Sequence, residues 1–487
     1  MNKILLEKLP RIEGDLKVLL SQTEFDREVF LKSGRSTHLG LRLEGKYPLE
    51  AVQLTQSLSD KTGVAHAISA VMALEDYLRL YPTESSVRVR QILLDLSCIR
   101  SHIFHFYWEL LPDYLNNDHY HAFSEEELWF YSGFYLKEQG EGALPTEVGI
   151  KIIKNIKAAA DALNLLQKCL VLLGGKFPVI MNQIPGGVTN FSISHNLRMK
   201  MIRNLELCKN FIETVWPADV KKFIQSIPDA TLLLGREPNL ISFGSLPLDK
   251  NKGKTSNYSE GILLDGKLEP VNELKITESL DNTYYLPTGS LGAAKSVPYD
   301  FNKPDARTWI KGARYDGKSV LTGALSRMMV THLAGGNLEI SDKIGQLIDD
   351  LELTFETPNC VASRILAEVI ESRILLKNTT KNLFEFEDSN GTNRKTYFDF
   401  SMEGVGIGKV ESPGGSLLHQ IFIEDNRIRQ YRIISSVNWN FSPVDSEGES
   451  GIIEDELNTL WRQKEVSAID FERLLHSYNA QILDGTQ

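Results

Sequence analysis

Apolar residues recur along this chain at alternating spacings of three and four, the rhythm of a helix with one buried face. The clearest run sets Ile92, Leu96, Ile99, Ile103, Phe106 and Leu110 on one stripe. A second sets Ile152, Ile156, Ala159, Leu163, Leu166, Leu170 and Leu173 on another and stops at Gly174-Gly175, where a helix cap is expected. Further helical patterns cover roughly 50–80, 192–226 and 360–378, so the elements predict a helical bundle. Alternation of period two marks SLLHQIFIEDNRIRQYRIISSV (416–437), broken at Asp425-Asn426, and predicts a hairpin. From about 245 to 306 periodicity fades and Gly, Pro, Asn and Asp are frequent, which predicts loops laid over the bundle. The expected fold class is mostly α with peripheral β (α+β), as a single unit. Its parts are an N-terminal β region (1–45), a helical bundle (46–240), a loop-rich connection (241–310), a second helical part (311–400) and a β hairpin with a C-terminal tail (401–487).

A chain of 487 residues, 42% hydrophobic, has the material for a large core. Its formal charge of -11, from 53 basic and 64 acidic residues without a Lys/Arg run, argues against a nucleic-acid partner and for proteins or small molecules. The opening MNKILLEKLPRIEGDLKVLL interrupts its apolar residues with charges, so neither a signal-peptide core nor a membrane span is expected. Cys98, Cys169, Cys208 and Cys360 lie far apart with no C-x-x-C spacing, and read as buried free thiols rather than a zinc or iron-sulfur site. The expected compartment is the reducing cytoplasm.

Common signatures of nucleophilic, zinc-hydrolase and phosphate chemistry are missing: there is no G-x-S-x-G, no H-E-x-x-H and no Walker loop. GVGIGKV (404–410) has no helix pattern after it and reads as a turn. His102, His105, His119 and His121 offer metal-ligand chemistry on paper. HIFHFYW nonetheless sets the first pair inside an apolar helix, and packed, hydrogen-bonded histidines are expected.

Eight segments, in order, resemble the large subunit of nickel-iron hydrogenases over nearly the whole chain. They are PRIEGDLKV (10–18), SHIFHFYWELLPDYL (101–115), LGGKFPVIMNQIPGGVT (173–189), ISFG (241–244), EGILLDGKLEPV (260–271), WIKGARYDGKSV (309–320), ESPGGSLLHQI (411–421) and LLHSYNAQILDGTQ (474–487). The resemblance implies a hydrogenase large-subunit-like fold whose C-terminal tail enters the active-site region. In that family four thiolates hold the nickel, two from an R-x-C-G-x-C motif and two from a C-terminal D-P-C-x-x-C motif, because soft donors stabilise nickel and bridge it to iron. Aligned through His66, the first pair falls on Ser59 and Thr62; aligned through HSY, the second falls on Gln481 and Asp484. The motif's leading arginine becomes Ser57, and the arginine overhanging the metals becomes Gly414. The family's magnesium-binding glutamate and closing histidine become Gly40 and Gln487. Glu13 matches the family's proton-relay glutamate, and reads here as a vestige or as a structural ion-pair partner. The chain also stops where the family's mature chain stops after its C-terminal peptide is removed, which fits folding without metal insertion.

These departures lead us to expect no metal and no cofactor in this chain. The expected role is a non-catalytic subunit paired with a small-subunit-like iron-sulfur protein, in an electron-transfer or scaffolding complex. Iron-sulfur clusters are then expected only in that partner, and export on the partner's signal is compatible with the family. The alternative is a rebuilt pocket in which Glu13, Ser59, Asp60, Thr62, Gln481 and Asp484 form an oxygen-rich site for a hard cation. A quinone is the other candidate ligand, by analogy with the related respiratory complex I subunit, which keeps this fold without the cysteines. A role in hydrogenase assembly or sensing, and residual activity with nickel on oxygen ligands, complete the alternatives.

Overall fold

The computed structural model describes residues 2–486 apart from positions 7, 13, 23–26, 121–122, 124–143, 190–192, 228–237, 247–256, 287–297, 338, 341, 344–358, 387–396 and 464–466. Three strands open the chain as an antiparallel sheet, β1 (Asn2–Leu6), β2 (Leu16–Gln22) and β3 (Arg27–Ser33). The helices α1 (Leu39–Leu43), α2 (Glu50–Thr55), α3 (Gly63–Leu78) and α4 (Glu84–Phe104) follow. Next come α5 (Thr146–Ile153), α6 (Ile156–Gly174), the short antiparallel pair β4 (Gln183–Ile184) and β5 (Gly187–Val188), α7 (His195–Asn210) and α8 (Trp216–Ser226). Both sequence stripes are buried, as expected. The first lies on α4 and the wider π turn that continues it (His105–Leu110); the second lies on α5 and α6, and α6 is capped by Gly175 at φ +81°. Each buried Leu or Ile contributes about 1.5–3 kcal/mol, far more than helix propensity does, so the stripes decide how the rods pack. Helix α4 lies against α3, α6 and the later α10 (Val361–Phe384). Between α8 and α10 comes α9 (Ala324–Leu333).

The stretch expected to be loops is partly sheet. Strands β6 (Asn239–Phe243), β7 (Glu260–Leu264) and β8 (Lys267–Glu269) join β11 (Val320–Leu321) in the order β11-β6-β7-β8, and β9 (Ile276–Ser279) pairs with β10 (Gly312–Tyr315). The strands are too short for periodicity to register. The local sign was Asp265-Gly266, both at positive φ in the tight turn between β7 and β8.

The hairpin at 416–437 is present, with Asp425 and Asn426 both at positive φ, but it has a third strand. GVGIGKV is not a turn: it belongs to β12 (Gly404–Ser412), which pairs with β13 (Gly415–Glu424), followed by β14 (Arg427–Ile434). Its glycines answer to packing. A Cβ on Gly406 or Gly408 would lie 2.0 Å from the carbonyl oxygens of Ala73 and Ser69 on α3. The chain finishes with α11 (Ser436–Asn440), α12 (Ile452–Gln463), α13 (Ala468–His476) and a tail over 477–486 that includes the turn Ile482–Gly485. Among the described residues no helix is long and apolar enough to cross a membrane.

Candidate functional site

A short loop, residues 59–62, runs from a 3-10 turn (Gln56–Leu58) into the first turn of α3, and the C-terminal tail threads past it. Ser59, Thr62, His66, Gln481 and Asp484 are all buried there. The Ser59 hydroxyl donates to Gln481 Oε1 at 3.2 Å across 422 residues of chain, and Gln481 Nε2 donates to the Ala480 carbonyl at 2.8 Å. His66 Nε2 faces Asp484 Oδ1 at 3.4 Å. Thr62 Oγ1 is buried without a hydrogen-bond partner among the described residues. Ser57 is exposed and donates to the Leu54 carbonyl. Asp60 also turns outward, toward Arg100 at 4.0 Å, so the oxygen-rich cluster foreseen from the sequence loses one member. Glu13 and Gln487 lie outside the described residues.

From Asp484 a line of buried groups runs into the β12–β14 sheet. His66 Nδ1 meets His419 Nε2 at 2.9 Å, and His419 Nδ1 meets the Tyr431 hydroxyl at 2.8 Å. Burial, then the neighbouring His66, push the His419 pKa well below its ordinary value, and burial raises that of Tyr431. Tyr431 therefore keeps its proton and His419 stays neutral, so one proton is shared between hydroxyl and ring.

Gly414 lines a cavity of about 30 Å³, shared with the tail residues Ser477–Ala480, Ser436, Asn440 and the helix α10 pair Arg364 and Glu368. A Cβ at Gly414 would lie 2.5 Å from the Asn479 carbonyl oxygen and 2.6 Å from Ser436 Oγ, so the tail leaves no ready space for a side chain at this position. Burial works against a charge on Glu368, yet His105 at 2.8 Å and His102 at 3.3 Å outweigh it and hold its carboxyl at about 2. Behind it, Glu371 meets His102 at 2.6 Å and takes two bonds of 2.8 Å from Arg327, which also pairs with Glu411. The expected packed histidines are thus His102 and His105; His119 bonds Asn116, and His121 lies outside the described residues. Cys98, His102 and Glu371 lie close enough to share an ion, but Arg327 already supplies the positive charge there.

The donors at the four family positions are two hydroxyls, an amide and a carboxylate, without a thiolate; Ser59 bonds Gln481 and Asp484 faces His66, and they do not converge on a common point. They do not fit a nickel-iron centre. All four cysteines are buried elsewhere. Gly40 sits in α1 beside a second cavity of about 50 Å³ lined by Glu278, Lys311 and Arg432. Arg432 takes Glu278 at 2.6 Å, and the two cations leave that site unsuited to magnesium. Sequence reasoning passed over Lys61, Glu109, His419, Tyr431 and Glu368. Lys61, Glu109 and His419 stood inside the aligned segments, whereas Tyr431 and Glu368 offered no local signal.

The family described as nickel-dependent hydrogenase matches residues 122–482. The chain is 24% identical over 495 residues to the periplasmic NiFeSe hydrogenase large subunit of Desulfomicrobium baculatum, covering 98% of this chain and 93% of that one. It is 23% identical over 550 residues to the hydrogenase-2 large chain of Escherichia coli K12, with coverages of 98% and 95%. Among solved structures, the oxidised Ni-Fe-Se hydrogenase from D. vulgaris Hildenborough superposes with a TM-score of 0.83 at 20% identity, covering 100% of this chain and 99% of that one.

Proposed function

The chain belongs to the nickel-dependent hydrogenase family, and on that premise we propose that it serves as a large-subunit homologue working without a nickel-iron centre. The observation that carries this reading is the pocket itself, where Ser59 is bonded to Gln481 and Asp484 faces His66 at the positions where the family has thiolates. Nickel on hard oxygen and amide donors would be held loosely and would not be bridged to iron. Relatives named large subunit or large chain support a small-subunit partner. We extend this to an iron-sulfur protein carrying whatever redox clusters the complex has, with this chain as its non-catalytic electron-transfer or scaffolding companion. The four buried free cysteines support work in a reducing compartment, the cytoplasm, although the D. baculatum relative is named periplasmic.

A second reading, a small-molecule pocket where the metals would be, rests on the polar Arg364 and Glu368 lining of the cavity beside Gly414, whose space of about 30 Å³ would have to open to admit a ligand. Native purification, with metal analysis and identification of co-purifying chains on one sample, separates the two. Iron with an iron-sulfur partner and no nickel is expected. Stoichiometric nickel would overturn the reading, and a chain free of both metal and partner would favour the pocket.

A further inference from the structure

We propose that Lys61 is a built-in cation that staples the C-terminal tail over the pocket in place of a bound metal, an inference that rests on the reading that this chain has no nickel-iron centre. In the family the same two segments, the loop before α3 and the tail, are joined through thiolates on the metal. Here Lys61 Nζ donates to Glu109 Oε2 at 2.6 Å and to Asn479 Oδ1 at 3.0 Å. Asn479 Oδ1 also accepts from Ser101 at 3.2 Å, and its Nδ2 meets His102 Nδ1 at 3.0 Å. One ammonium thus binds three segments: the loop, the π turn after α4 and the tail.

The pair is not a surface salt bridge, since the Lys61 and Glu109 side chains are 3% and 1% exposed. Two charges taken out of water at this depth persist only where each finds its partners, and removing one leaves the other stranded. The Ser59–Gln481 and His66–Asp484 contacts flank the staple, so the tail is gripped at 479, 481 and 484 by residues between 59 and 66. Every grip comes from the protein's own side chains.

Hydrogen exchange of the full chain, read on peptides spanning 477–486 and on helix α4 as reference, tests this with and without prior nickel chelation. Lys61→Met is expected to speed tail exchange on the order of a hundredfold or more relative to α4, because it leaves Glu109 buried and unpaired. Chelation is expected to change nothing. Should Lys61→Met fail to fold, Asn479→Leu keeps the ion pair and cuts the tail's side-chain bonds to Lys61, Ser101 and His102, and is expected to speed tail exchange by roughly tenfold, with Ser101→Ala as the control that leaves the Lys61 tie in place. Tail protection that survives both substitutions and chelation refutes the staple alone. Protection that survives the substitutions but is lost on chelation refutes the metal-free reading beneath it as well.

Discussion

Gly414→Ala is the most economical test of whether the tail has closed the old metal space. Gly414 is not among the residues at positive φ, so the backbone accepts an L side chain and any cost comes from packing. The new methyl would sit 2.5 Å from the Asn479 carbonyl oxygen, about 0.9 Å inside the 3.4 Å at which ordinary contact begins, and 2.6 Å from Ser436 Oγ. The first obstacle is backbone, and the Asn479 side chain is held by Lys61, Ser101 and His102, so the tail cannot slide cheaply. Overpacking of this kind costs about 1–3 kcal/mol, and the upper end is expected here. With a urea slope of about 3 kcal/mol/M or more for so large a chain, the unfolding midpoint should fall by up to about 1 M. Adding Ser436→Ala should recover only part of the loss, because the carbonyl contact remains. An unchanged midpoint for Gly414→Ala would refute the reasoning, since it would mean the tail leaves room for a side chain at this position.

Asp95 gives a pH prediction. It is buried among the neutral donors Gln91 (2.7 Å), Asn257 (3.1 Å) and Thr379 (3.2 Å), and burial pushes its carboxyl from 3.8 up to about 7. A carboxyl with a raised folded pKa lends full stability below pH 3.8 and loses it as pH climbs toward 7. Asp95→Asn should therefore flatten urea midpoints measured between pH 4 and 7, and a slope identical to the parent's would sink the burial argument. The thiols give another: burial raises Cys98, and takes Cys169 to about 11 and Cys208 to about 12. In the native chain at pH 8 no cysteine should react readily with a thiol reagent, and all four should react in urea. Fast labelling of any one without denaturant contradicts the structure.

Long periodic segments were legible in the sequence because their signal repeats over many turns: the stripes of α4 and α6 are where the spacing put them. Short strands were not. Ile241 and Ile262 alternate for too few residues to stand out, and Gly406 and Gly408 looked like a turn because the reason for them, the α3 backbone beside them, is distant in sequence. The candidate site was half legible. Aligning through His66 and HSY picked out Ser59, Thr62, Gln481 and Asp484, and the structure sets Ser59 beside Gln481 and Asp484 beside His66, because motif order fixes which segments meet. It gave no hint that Asp60 turns outward or that Lys61 turns in, because adjacent loop residues differ only in where the backbone aims them.

The seating of the tail also sets an order of events in folding. Arg11 and Asp113 meet His476, 465 and 363 residues away in sequence, and Ser59 waits for Gln481 across 422. Contacts so remote contribute nothing until nearly all the chain has been made, whereas α4 and α6 can form and pair early. Helices should therefore collapse first around an open, polar cleft, with insertion of residues 477–486 as the late, slow step. A ribosome-stalled chain ending before 476 would expose that cleft, and chaperones would find it before the tail does.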